Sequence, residues 1–238
     1  MTTDILLISS SRVHGQRYMG YCESLLQTYW QGVEEILFIP FALQDHAAYT
    51  QKVSEALAPM GLRVKGIEAT ADFTQAVNEA KGIYIGGGNT FLLTHTLYRH
   101  QLLTPIRERV LSGAAKYMGS SAGSNVACPT MKTTNDMPII YPPAFETLNL
   151  VPFQINAHYL DPVAGDTHQG ETREERIREF HEWNDAPVLG LREGAMIHVQ
   201  YKNAQRQAHL KGVQGARLFR AQQEPQEYAP GDDMGFLL

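Results

Sequence analysis

The residues best able to do chemistry in this chain lie at Met118–Thr130, which reads Met-Gly-Ser-Ser-Ala-Gly-Ser-Asn-Val-Ala-Cys-Pro-Thr. Gly119-Ser120-Ser121-Ala122-Gly123 has the G-x-S-x-G pattern of a strand that ends in a sharp turn and opens a helix. Such a turn holds one residue in strained backbone geometry, so small residues must flank it and its side-chain oxygen stands exposed. Gly119 and Gly123 sit two places either side of Ser121, whereas Ser120 has Met118 and Ala122 there. Ser121 is therefore the candidate nucleophile. Small residues also make inert turns, so the pattern needs partners before it implies catalysis.

A serine hydroxyl attacks only when a base takes its proton, and that base is usually a histidine held in one tautomer by a carboxylate. Of the nine histidines, His158 is the best placed, because it follows the expected strand Phe153–Ala157; His168 is its one competitor. Two carboxylates could orient it, Asp136 in a polar loop after the serine and Glu193 in a Glu-Gly turn, and spacing leaves both open. Gly86-Gly87-Gly88-Asn89-Thr90 leaves backbone amides uncovered, so a developing oxyanion could accept from the Gly88 and Ala122 N–H groups. The same donors could cradle a phosphate. No G-x-x-x-x-G-K occurs, and no G-x-G-x-x-G follows the first strand, so a nucleotide site is not expected. His158, Asp161, Asp166 and His168 could be read as zinc ligands, but their spacing lacks the helical logic of H-E-x-x-H, and no metal is expected.

These loops must be carried by strands. Apolar runs at Asp4–Ser9, Glu35–Pro40, Leu62–Ile67, Gly82–Ile85 and Ala114–Met118 alternate with helical segments at Tyr18–Tyr29, Asp45–Ala58, Asp72–Glu79, Thr90–Tyr98 and Thr104–Ser112. That alternation describes βαβ units, hence an α/β fold of three layers with a mostly parallel sheet and helices on both faces. Ligands of such sheets bind beyond the carboxyl ends of the strands, where Gly86–Thr90 and Gly119–Gly123 would share a crevice if their strands are neighbours. Thr172-Arg173-Glu174-Glu175 reads as a capping box for a charged helix to about Trp183, and Pro187–Leu191 as a strand leading to Arg192-Glu193-Gly194. Ala195–Tyr201, Arg206–Leu210 and Ala216–Arg220 are expected to close the fold as C-terminal antiparallel strands. The tail 221–238 has little to bury and is expected to be loosely held.

Composition agrees with one catalytic domain over 1–238: 43% hydrophobic and 19% charged residues suit a globular enzyme rather than a disordered chain. A net charge of −5 with no basic run argues against nucleic acid as a partner. No segment approaches the roughly 20 apolar residues that cross a bilayer, so no membrane partner is expected. Cys22 and Cys128 fall in a helical pattern and behind the serine turn, which favours reduced thiols and a cytoplasmic protein.

With these residues in view, the sequence resembles the peptidase E family of cytoplasmic α-aspartyl dipeptidases. The resemblance runs over nearly the whole chain: Ser9-Ser10-Ser11, Gly86–Thr90, Gly-x-Ser121-Ala-Gly-x-Asn, Ala127–Thr130, Thr133–Pro138, Asn156-Ala157-His158, Gly170–Arg173 and Leu191–Gly194. It implies a sheet like that of class I glutamine amidotransferases, with serine in place of cysteine at the turn. It further implies Ser121 as nucleophile, His158 as base, and a third member at Asp136 or Glu193. The implied reaction cleaves dipeptides with an N-terminal aspartate, without metal or organic cofactor; the residues themselves leave monomer or homodimer open. An aspartyl side chain is an anion, and Arg173 at the first turn of a helix suits it, with Asn89 and Thr90 adding hydrogen bonds from the opposite wall. Relatives often have an aromatic residue before the serine and alanine after the second glycine; Ser120 and Ser124 here imply a wider or more polar pocket. A cyanophycinase-like β-aspartyl peptidase and a catalytically silent module that binds an acidic ligand are the alternatives.

Overall fold

The apolar runs become strands and the amphipathic segments helices in the computed structural model, which describes residues 2–162, 170–202 and 205–238. In chain order the strands are β1 (Thr2–Ile8), β2 (Glu35–Ile39), β3 (Arg63–Gly66), β4 (Gly82–Ile85), β5 (Lys116–Ser120), β6 (Gln154–Ala157), β7 (Val188–Leu191), β8 (Ala195–Lys202), β9 (Gln205–Gly212), β10 (Ala216–Phe219) and β11 (Gln226–Tyr228). The helices are α1 (Glu23–Tyr29), α2 (His46–Leu57), α3 (Phe73–Glu79), α4 (Thr90–Arg99), α5 (Leu103–Leu111), α6 (Ala122–Asn125) and α7 (Arg173–His181).

Five parallel strands, β3-β2-β4-β5-β1, make the body of a seven-stranded sheet that β8 and β9 extend in antiparallel fashion. Successive side chains of a strand point to opposite faces, and both faces of this sheet are covered. Ile5, Leu7, Ile83, Ile85 and Tyr117 enter one core with Val77 of α3, Leu93 and Leu97 of α4, and Ile106 and Val110 of α5. Leu6, Ile8, Phe38, Tyr84 and Met118 enter the other with Leu26 of α1 and Val53 and Leu57 of α2. Burying each such side chain contributes about 1.5–3 kcal/mol before chain entropy is counted.

The late strands pair antiparallel as expected but divide between two sheets: β8 and β9 join the main sheet beside β1, whereas β10 enters a second, four-stranded sheet ordered β11-β10-β7-β6. Alternation marks a segment as a strand but says nothing of which sheet it joins. The second sheet packs on the first core through Ile155, Leu189, Leu191 and Leu218, sharing that face with the helices. The expectation of a loosely held tail is corrected, since the tail is tied down. Its strand β11 pairs with β10, and Met234 is fully buried with its amide donating to the Ala208 carbonyl at 2.7 Å. Cys22 and Cys128 are free and buried, and no helix among the described residues is long and apolar enough to cross a membrane.

Candidate active site

The flanking glycines let the serine turn exist. A Cβ on Gly119 would collide with the Gly123 carbonyl, and one on Gly123 with the Ile85 carbonyl, so α6 can lie this close to β4 and β5 only without those side chains. Tyr117 donates its hydroxyl to the Gly123 oxygen at 2.6 Å, bracing the turn from the core. Ser121 itself has φ 52° and ψ −113°, a left-handed geometry that costs a non-glycine residue on the order of 1–3 kcal/mol and is held by the surroundings. Its amide donates to the Ile8 carbonyl at 3.0 Å.

His158 follows β6, and Glu193 lies two residues beyond β7. These strands are parallel, with Ala157 opposite Leu191, so the two segments emerge side by side. His158 Nε2 lies 2.9 Å from Ser121 Oγ, and Nδ1 lies 2.8 Å from Glu193 Oε1. An ionised carboxylate only accepts, so Nδ1 carries the proton and the Nε2 lone pair faces the serine hydroxyl. His158 also has a positive φ, 54°; its amide donates to Ser9 Oγ at 2.9 Å, and that hydroxyl donates to the Leu191 carbonyl at 2.8 Å. Ser9, at the carboxyl end of β1, thus ties the main sheet to the second sheet directly behind the histidine. Its place at the start of a serine run ending a strand was the available sequence signal.

Asp136 is not against His158. Its Oδ2 accepts from the Thr90 amide at 2.7 Å, the Thr90 hydroxyl at 2.6 Å and the Thr134 hydroxyl at 3.1 Å. The expectation that Asn89 and Thr90 face substrate is likewise corrected. Asn89 caps α4, its Oδ1 accepting from Leu92 N–H at 3.0 Å while Nδ2 donates to the Met137 carbonyl at 2.8 Å. Thr90 is buried, and its hydroxyl is committed to Asp136.

Strands β4 and β5 are neighbours with Ile85 opposite Gly119, which brings the glycine loop level with the serine turn. A Cβ on Gly87 would lie 3.0 Å from Ser121 Cβ. Gly88 has φ +141°, and a Cβ there would collide with the Ala42 carbonyl. Among the described residues neither the Gly88 nor the Ala122 amide donates a hydrogen bond, so both remain available to an incoming oxygen.

Arg173 opens α7 behind the capping box of Thr172 and Glu175. Among the described residues no carboxylate comes within ion-pair distance of it. Burial pulls its pKa down and the Arg176 charge adds to that, while the nearby Asp136 carboxylate opposes them. Of the residues weighed as metal ligands, Asp166 and His168 lie outside the described residues and Asp161 is taken up by Arg192, so His168 as alternative base lies outside them too.

The model of peptidase family S51 matches residues 5–207. The chain belongs to peptidase family S51. A Drosophila melanogaster protein named "probable alpha-aspartyl dipeptidase" is 49% identical over 99% of this chain and 97% of its own length. Peptidase E of Streptomyces coelicolor is 47% identical over 99% and 95%. The crystal structure of a peptidase from an acI-B1 actinobacterium superposes with a TM-score of 0.72 over 99% of this chain and 98% of that one, at 16% identity, a likeness of fold.

In this S51 member, several motif residues turn out to be supports. Asn156 Nδ2 donates to the Thr133 carbonyl at 3.0 Å and to Asn135 Oδ1 at 2.9 Å, and Asn135 Nδ2 donates to the Ala157 carbonyl at 2.8 Å, stitching the 133–136 loop to β6. The pocket expected from Ser120 and Ser124 is corrected. Both are fully buried, Ser120 with its hydroxyl 3.0 Å from that of Tyr84, and Ser124 with its hydroxyl 2.8 Å from the Ile8 and Gly119 carbonyls. Their hydroxyls are engaged inside the fold, so neither adds polar surface beside Ser121.

Proposed function

We propose that this protein is a serine dipeptidase that releases N-terminal aspartate from Asp-Xaa dipeptides through an acyl-enzyme on Ser121. The observation that carries the reading is the hydrogen-bond series from Ser121 Oγ through His158 to Glu193, built on a strained turn. As Ser121 Oγ attacks the scissile carbonyl carbon, its proton passes to His158 Nε2, and Glu193 steadies the imidazolium. The carbonyl oxygen, now an anion, accepts from the Gly88 and Ala122 amides; each such donor is typically worth about 10²–10³ in rate. The tetrahedral intermediate collapses as His158 gives the proton to the departing amine. Water, deprotonated by the same imidazole, then cleaves the ester and frees aspartate. Every proton in this scheme moves between groups of the chain, the substrate and water.

Arg173 supplies the positive charge that the substrate's side-chain carboxylate requires, at a helix N-terminus that also favours an anion. The names of the Drosophila and Streptomyces relatives support the same substrate class. The reading extends to a single catalytic domain acting on small aspartyl peptides in the cytoplasm, as a monomer or homodimer, without nucleic acid or membrane.

The test is turnover of Asp-Leu and of its β-linked isomer by wild type and Ser121→Ala. Wild type should hydrolyse the α-linked peptide in preference, and Ser121→Ala should lose about 10⁴–10⁶ in kcat with an unchanged circular dichroism spectrum. Undiminished turnover by the variant would refute the serine mechanism, and preference for the β-linked isomer would refute the substrate.

A further inference from the structure

We propose that Asp161, Arg192 and Glu227 form a clamp that positions Glu193 against His158, making the C-terminal strand β11 part of the support of the site. This rests on the reading of His158 as base and Glu193 as its orienting carboxylate.

Arg192 immediately precedes Glu193, and Asp161 lies three residues after His158. The Arg192 guanidinium donates from Nε and Nη2 to the two Asp161 oxygens at 2.7 and 2.6 Å. On its other side it donates from Nη1 and Nη2 to the two Glu227 oxygens at 2.9 and 3.1 Å. Two bidentate pairs hold a planar cation in one orientation, with more directional restraint than any single ion pair supplies. The Arg192 Cζ lies 5.8 Å from the Tyr159 ring centre, over its face, so the guanidinium also has an aromatic neighbour. Arg217 closes the network, with Nε 3.6 Å from Glu227, Nη1 3.9 Å from Asp161 and Nη2 3.3 Å from Glu174.

The site needs such a device. The Glu193 side chain is 50% exposed on a turn, and among the described residues its carboxylate bonds to His158 alone, so the orientation of its backbone matters to the contact. Parallel pairing aligns the strands up to Ala157 and Leu191 and then stops. Beyond that point the Tyr159 amide donates to the Leu191 carbonyl at 3.0 Å, and the Arg192–Asp161 pair adds a cross-link between the two outgoing segments beside the His158–Glu193 contact itself. The clamp also occupies Arg192: four hydrogen bonds to two other carboxylates leave the cation committed away from its neighbour Glu193. Arg192 and Asp161 are thus positioning residues, acting through Glu193, and Glu227 anchors them to the second sheet.

The experiment is a double-mutant cycle on the full chain, with Asp161→Asn made in wild type and in Glu193→Gln, and Asp-Leu hydrolysis measured. In wild type the change should lower kcat about 10-fold with KM within about two-fold, since small misplacements of a catalytic pair act on the transition state. In the Glu193→Gln background it should cost nothing further. Equal losses in both backgrounds, an unchanged kcat in wild type, or a loss confined to KM would each overturn the clamp. Should Asp161→Asn fail to fold, Glu227→Gln carries the same comparison, with a smaller loss in wild type expected and none in Glu193→Gln. If Glu193→Gln itself retains full kcat, the orienter assignment falls and the clamp with it; if Glu193→Gln is impaired while the clamp variants are not, the clamp alone falls.

Discussion

Asp136 faces Thr90 at the first turn of α4, its Oδ2 2.7 Å from the amide and 2.6 Å from the hydroxyl, in a separate set of contacts from the His158–Glu193 pair. A carboxylate at a helix N-terminus meets unsatisfied N–H groups and the positive end of the helix dipole. Because Thr90 is two residues beyond Gly88, the same contact holds the loop whose Gly88 amide is proposed to meet the oxyanion. Asp136 therefore braces the start of α4, and on the proposed mechanism it supports the loop that carries Gly88.

Asp136→Asn should cost about 1 kcal/mol of stability and lower kcat through the Gly88 loop, while leaving the acidic limb of the kcat/KM profile in place. Urea unfolding and a pH–rate series measure both. A displaced limb would show Asp136 to act on the histidine instead.

Two neighbouring glycines should separate folding from catalysis. Gly88→Ala forces a side chain into φ +141° and against the Ala42 carbonyl, so a stability loss of at least about 2 kcal/mol is expected together with lost activity. Gly87 has no positive φ, and an added methyl would meet Ser121 Cβ at 3.0 Å, the Ser120 carbonyl at 3.2 Å and Ser121 Oγ at 3.6 Å, with no backbone atom as near as the Ala42 carbonyl is at Gly88. Gly87→Ala should keep most of its stability and lose turnover, a contrast readable from thermal melts beside rates.

Arg173→Met removes the cation while keeping apolar volume. For Asp-Leu, kcat/KM should fall about 10- to 100-fold, the worth of a hydrogen-bonded charge pair, and a peptide with a neutral first residue should change little. Equal losses on both substrates would deny Arg173 a part in side-chain recognition.

Arg192 holds the Asp161 carboxyl below the usual carboxylate range by hydrogen bonding, outweighing the opposing effect of burial. A pKa lowered on folding stabilises the native state above the unfolded value of about 3.9 and ceases to do so as pH falls through the folded one. The difference in melting temperature between wild type and Asp161→Asn should thus be present at pH 7 and shrink on acidification below about pH 4. A gap that is constant with pH would exclude an ionic origin.

Much of this molecule is written locally. Gly119 and Gly123 singled out Ser121 because their spacing about the serine is a local pattern, although only the Gly119 demand is local and Gly123 is required by the Ile85 carbonyl of β4. Alternating runs marked the strands because a pleated chain exposes its side chains with a period of two, and β4 coincides with its expected span, Gly82–Ile85. The choice between Asp136 and Glu193 lay outside that range. It follows from Ala157 pairing with Leu191, thirty-four positions away, in a sheet distinct from the one that leads to Ser121. The anchoring of the tail on β10, the Thr90–Asp136 contact and the Asn89 bond to the Met137 carbonyl were hidden for a like reason, since each joins separate segments of the chain, whereas the Asn89 cap on Leu92 is local. Sequence by itself determined which groups could react and which segments would be strands or helices, since those depend on each residue and its near neighbours. Only the tertiary structure decided which carboxylate meets which imidazole, because that is set by register between strands far apart in the chain.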